Sequence, residues 1–101
     1  MGRIGLELSM GERPLVWREI AQGVTLVGGN PECDICVPHI DLPPVYFSIR
    51  RAAESLWLRN ENIKGTHLVV NGESLEIIGE YRLANGDNIR VGDINATCRF
   101  L

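Results

Sequence analysis

Turn signals recur roughly every eight to twelve residues along this chain, and that spacing excludes most folds. Gly11 with Pro14, Gly28-Gly29-Asn30-Pro31, Pro38, Pro43-Pro44, Gly65, Asn71-Gly72, Asn85-Gly86-Asp87 and Gly92-Asp93 punctuate it. Between them the apolar residues alternate with period two: Ile4, Leu6 and Leu8; Leu56 and Leu58; Ile94, Ala96, Cys98 and Phe100. Alternation of this kind marks half-buried strands. No convincing helical pattern appears between the turns. Ten strands are expected, over residues 3–8, 15–20, 24–27, 34–37, 45–50, 55–59, 67–70, 73–78, 88–91 and 94–100. Residues 24–27 form an apolar run of the sort found in a central strand buried on both faces. Asn71-Gly72 is the strongest hairpin signal, because both residues tolerate positive φ. The result is an all-β sandwich of two packed, mainly antiparallel sheets.

The chain has 101 residues, 45% of them hydrophobic and 23% charged, with a formal net charge of −3. That is one domain, residues 1–101, with one core. An acidic balance argues against an electrostatic nucleic-acid binder. No apolar run approaches the ~20 residues of a membrane-spanning helix, and the N-terminus lacks the apolar stretch of a signal peptide. A cytoplasmic protein with no direct membrane contact is expected, with a membrane anchor in a longer parent left open.

Three cysteines, Cys33, Cys36 and Cys98, do not make a disulfide framework. A zinc site at Cys33-x-x-Cys36 would need two further ligands from Cys98, His39 and His67, at no recognisable spacing. A redox C-x-x-C opens a helix, whereas Asp34-Ile35-Cys36-Val37 reads as a strand. Cys36 and Cys98 are expected as small apolar fillers and Cys33 as a turn residue. Neither histidine has the spacing of a catalytic group, and the aspartates sit in turns, where they bond their own backbone. Gly28-Gly29 lacks the frame of a phosphate-binding loop. No metal, cofactor or catalysis is expected.

The order of these turns resembles the forkhead-associated (FHA) domain. The residues that carry the likeness are Leu26-Val27-Gly28, Cys33-Asp34-Ile35-Cys36-Val37, Ile40-Asp41, and Leu56-Trp57-Leu58-Arg59-Asn60. They continue through Gly65-Thr66 and Val70-Asn71-Gly72 to the run from Leu83 to Gly92. The resemblance covers nearly the whole chain. It implies a β-sandwich that binds phosphothreonine peptides through loops at one end. It also implies which positions should read the phosphate, and there this sequence departs. Gly29 stands where the family has an arginine. Pro43 stands for the phosphate-binding serine, Pro44 for its neighbour and Tyr46 for a structural histidine. Lys64-Gly65-Thr66 stands for asparagine-glycine-threonine.

A phosphate leaving water needs charge-assisted hydrogen bonds in return. Gly29 offers a backbone N–H and no charge, and Pro43 offers neither hydroxyl nor N–H. The expected function is a non-catalytic protein–protein interaction module that works without phosphothreonine, a scaffold or assembly domain with homo-oligomerisation left open. Pro44-Val45-Tyr46 resembles the FHA-like cytoplasmic domains of the type III secretion inner-membrane ring protein, which implies assembly into such a ring. The alternative is a phosphothreonine reader rebuilt from Lys64, Thr66 and Arg50. A third reading, a structural domain of an enzyme or transporter, turns on what flanks residue 101 in the parent protein. Candidate residues for peptide or partner contact are Gly28, Gly29, Asn30, Pro43, Pro44, Arg50, Lys64, Gly65, Thr66 and Asn71. Arg50 and Arg51 have a plainer reading as solvated charges near a strand end.

Overall fold

The computed structural model describes residues 3–12, 15–38, 42–61, 68–75 and 79–101. Among these, eleven strands form and no helix. They are β1 (Ile4–Met10), β2 (Val16–Glu19), β3 (Gly23–Gly28), β4 (Ile35–Cys36), β5 (Phe47–Ala52) and β6 (Ser55–Asn60). After these come β7 (Leu68–Val70), β8 (Glu73–Ser74), β9 (Glu80–Leu83), β10 (Asn88–Val91) and β11 (Ile94–Phe100). One sheet has the order β2-β1-β11-β10-β7-β8 and the other β4-β3-β5-β6-β9. Every pairing is antiparallel except β3 with β4. This is the sandwich the alternation implies.

The two sheets close on one apolar core. Leu6, Ile20, Leu68, Ile89, Val91, Ile94 and Cys98 enter from the first sheet and its flanks, and Val27, Phe47, Ile49, Leu56, Leu58 and Leu83 from the second. Full burial of such a side chain contributes about 1.5–3 kcal/mol. Outside the first sheet Trp17 lies over Gly5. A methyl group at Gly5 would come within 2.6 Å of the indole and of the Arg18 carbonyl, so only glycine fits there.

Four expectations need correction. β3 is central in its sheet but buried on one face alone: Thr25 and Val27 point inward, while Val24 and Leu26 are 60% and 36% exposed. Cys36 is exposed, because β4 is a two-residue edge strand whose second side chain points away from the core. Strand β9 was not expected, since Glu80, Tyr81 and Arg82 are all exposed and only Leu83 enters the core. Tyr46, expected within the strand over residues 45–50, precedes β5 and is fully buried. Part of the expected strand over residues 73–78 lies outside the described residues, as do His39, Ile40, Asp41 and His67.

Register decides which loops share an end. Val27 pairs with Phe47, and Phe47 with Asn60. The chain therefore leaves β3, enters β5 and leaves β6 at one end of the sandwich. The opposite end is marked by Arg51, which donates to the Ile20 carbonyl at 2.6 Å.

Candidate functional site: the loop end and the outer face beside it

The loop end is held by Pro44. Its carbonyl accepts the Asn30 N–H at 3.1 Å and the Cys33 thiol at 3.5 Å. Gly28 lies directly beneath: a Cβ there would meet the Pro44 oxygen at 2.1 Å and the Val45 Cα at 2.8 Å. This glycine is required by close approach of backbone to backbone. Val37 donates to the Gly28 carbonyl at 2.8 Å and Tyr46 to the Val27 carbonyl at 2.8 Å, so both loop exits are tied to the end of β3. The Asn30 side chain accepts from the Glu32 N–H at 2.9 Å and shapes its own turn.

Tyr46 fills the place that the family resemblance gives to a structural histidine. Its hydroxyl donates to the Val37 carbonyl at 2.6 Å and pins one loop to the next. Burial raises its pKa above the usual phenol value, with the Cys36 and Cys33 thiols adding to the effect. It therefore stays a neutral donor. Beyond β6, Glu61 donates its N–H to the Tyr46 carbonyl at 3.4 Å and accepts from the buried Ser48 hydroxyl at 2.6 Å. The segment leading to Lys64, Gly65 and Thr66 thus departs from this same end. Those three residues lie outside the described ones.

The structure brings Gly28, Gly29, Asn30, Pro43 and Pro44 together. Gly29, Asn30, Pro43 and Pro44 line one open hollow with Pro31, Pro38 and Leu42. From residue 28 to residue 47 the sequence has no lysine or arginine and three carboxylates, Glu32, Asp34 and Asp41. At this end the Asn30 N–H is already taken up by the Pro44 carbonyl.

Two candidates belong elsewhere. Asn71 lies in the β7–β8 turn with φ of 51°, and its side chain donates to Asp87 at 3.0 Å and accepts from the Asn88 N–H at 2.9 Å. Its neighbour Val70 pairs with Ile89, while Leu68 at the other limit of β7 pairs with Val91. Asn71 therefore faces away from the loop end and ties two turns together. Arg50 is in register with Val24, toward the start of β3, on the outer face of the five-stranded sheet. Neither is at the Pro44 hollow.

On that outer face the register builds a row that the sequence did not single out. Val24, Arg50, Trp57 and Arg82 are consecutive partners across β3, β5, β6 and β9. The guanidinium carbons of Arg50 and Arg82 lie 6.0 and 5.9 Å from the centre of the Trp57 ring. The next row is Leu26, Ser48, Arg59 and Glu80. The signal was in the parity of Ser55-Leu56-Trp57-Leu58-Arg59: once Leu56 and Leu58 face the core, Trp57 and Arg59 must face out. Among the described residues no cluster of His, Cys, Asp and Glu could hold a metal ion.

The family model for the FHA domain matches residues 25–92. No curated protein matches the sequence. Solved structures do match in fold. One is the FHA domain of the CT664 protein from Chlamydia trachomatis, with a TM-score of 0.83, 17% identity and 96% of each chain covered. Another is the N-terminal FHA domain of Rad53p from S. cerevisiae, solved with a phosphothreonine peptide. Its TM-score is 0.80 at 22% identity, covering 98% of this chain and 94% of that one. A third is the FhaA FHA domain complexed with the intracellular domain of Rv3910, with a TM-score of 0.81 and 21% identity, covering 95% of this chain and 99% of that one. With two-thirds of its length matched by the family model and the whole sandwich matched in fold, this chain belongs to the FHA domain family, a family of protein–protein interaction modules.

Proposed function

We propose that this FHA domain is a non-catalytic protein-binding module that engages its partner without reading phosphothreonine. The observation that carries the proposal is the chemistry of the loop end. A phosphate there would find Gly29 and Pro43 in place of a cation and a hydroxyl, carboxylates along the loops, and the Asn30 N–H already held by Pro44. Desolvating a phosphate against such a surface returns too few charge-assisted hydrogen bonds to offset the water it loses. The proposal includes a role in assembly on the cytoplasmic side of a membrane, as in a secretion ring. That finer part rests on the resemblance of Pro44-Val45-Tyr46 alone.

The competing reading keeps phosphothreonine as ligand and supplies the cation from Lys64, with Thr66 beside it. Arg50 is a poor third member, because its register puts it toward the far end of β3. Calorimetric titration separates the two. The domain is titrated with a phosphothreonine peptide and its unphosphorylated match, as wild type and as Lys64→Ala. Equal, negligible heats are the expected outcome. Micromolar binding that needs the phosphate and disappears in Lys64→Ala would establish the rebuilt site instead.

A further inference from the structure

We propose that the outer face of the five-stranded sheet, centred on Trp57, docks an acidic segment of a partner protein. This is independent of what the loop end binds. The chain carries 13 acidic and 10 basic residues, yet this face gathers Arg50, Arg59 and Arg82 in two adjacent rows. Among the described residues none of the three is ion-paired. Arg82 only donates to the Ser55 hydroxyl at 3.2 Å. The carboxylates close by are Glu80, in the second row, Glu61, which holds Ser48, and Asp34, which accepts the Leu26 N–H at 2.8 Å at the edge of the face.

Charge is half of the complementarity. Val24 and Leu26 leave 60% and 36% of their surface open on the same face. Trp57 is half-buried between the guanidinium groups and lines a hollow with Val24, Ser48, Arg59, Glu61 and Glu80. Tryptophan and arginine together, flanked by aliphatic surface, make the composition of an interface core. β5 and β9 flank β6, so Arg50 and Arg82 stand about 10 Å apart, two strand spacings. A segment with two carboxylates at that separation can pair with both and lay an apolar side chain over Trp57. A guanidinium binds a carboxylate through two parallel N–H donors, which fixes orientation as well as strength. A nucleic acid fits less well, since its bases gain little from the open aliphatic surface of Val24 and Leu26.

The probe is a synthetic glutamate-rich peptide with a central leucine, followed through the two indole N–H resonances of the whole domain. Trp57 is the reporter. Trp17, packed over Gly5 on the other sheet, is the internal control. Saturable movement of Trp57 without Trp17 is expected, together with weakening as salt rises. Arg50→Glu with Arg82→Glu is expected to weaken binding at least about tenfold, as loss of central interface arginines does. Arg18→Glu with Arg90→Glu makes the same charge change at exposed positions on the other sheet and is expected to leave binding nearly unchanged. Thermal melts confirm that each pair still folds. A silent Trp57, equal loss in both pairs of variants, or tighter binding of a single-stranded oligonucleotide than of the peptide would each overturn the proposal.

Discussion

Gly28 shows how one residue can fix the meeting of two loops. The Pro44 carbonyl sits where a side chain at Gly28 would be. That close approach lets Pro44 take the Asn30 N–H. Gly28→Ala is expected to destabilise the domain by about 1–3 kcal/mol through overpacking against backbone, read from urea unfolding. Cys98 is a second single-residue case. It is fully buried, and burial pushes its thiol pKa up from 9.0 to about 12, with the Asp87 charge adding to the rise and Arg99 opposing it. Between those values the folded chain keeps a proton that the unfolded chain has released. Stability from this group is therefore complete below about pH 9 and falls as pH rises toward about 12. Urea midpoints measured from about pH 8 to about pH 11 are expected to decline, and less steeply in Cys98→Ala.

Strands and their connections were legible in proportion to how much apolar surface they bury. β1, β6 and β11 could be read from alternation alone, because each presents a full apolar face to the core. β9 could not. It is an edge strand that buries Leu83 only, so it leaves almost no period-two signal. The apolar run of β3 misled in the opposite sense: Val24 and Leu26 are apolar on a face that no other sheet covers. At the loop end, Gly29 and Pro43 could be read as departures from the family pattern. The capture of Asn30 by Pro44 could not, since it depends on where two loops meet. The Trp57 row needed register across four strands, which alternation within one strand does not supply.

The β5–β6 hairpin turns on Ala53, whose φ of 56° is unfavourable for a side-chain-bearing residue. Gln22 holds it from both sides, accepting its N–H at 3.0 Å and donating to its carbonyl at 2.9 Å. Nothing in the sequence near Ala53 announces that clamp from 31 residues away. Ala53→Gly removes the strain and keeps the clamp. It is expected to stabilise the domain by roughly 0.5–1 kcal/mol net of the added chain entropy, seen as a higher urea midpoint with unchanged slope.

At the scale of the whole molecule, charge and shape separate the two candidate surfaces. The sequence from Gly28 to Phe47 is acidic and proline-rich, and there the Asn30, Cys33 and Val37 N–H groups bond to backbone carbonyls of the same loops. The outer face of the five-stranded sheet is basic and aromatic, with open aliphatic surface. The Rad53p domain, similar in fold, was solved with a phosphothreonine peptide; here the same fold is proposed to engage its partner without one. The most direct measurement follows the Gly29 and Asn30 amide resonances as a phosphothreonine peptide is added. Wild type is compared with Gly29→Arg/Pro43→Ser, which restores a cation and a hydroxyl. Partner binding without phosphothreonine predicts still resonances in wild type and phosphate-dependent movement in the restored variant. Movement of the wild-type Gly29 and Asn30 amides with the phosphorylated peptide, and not with its unphosphorylated match, would contradict it.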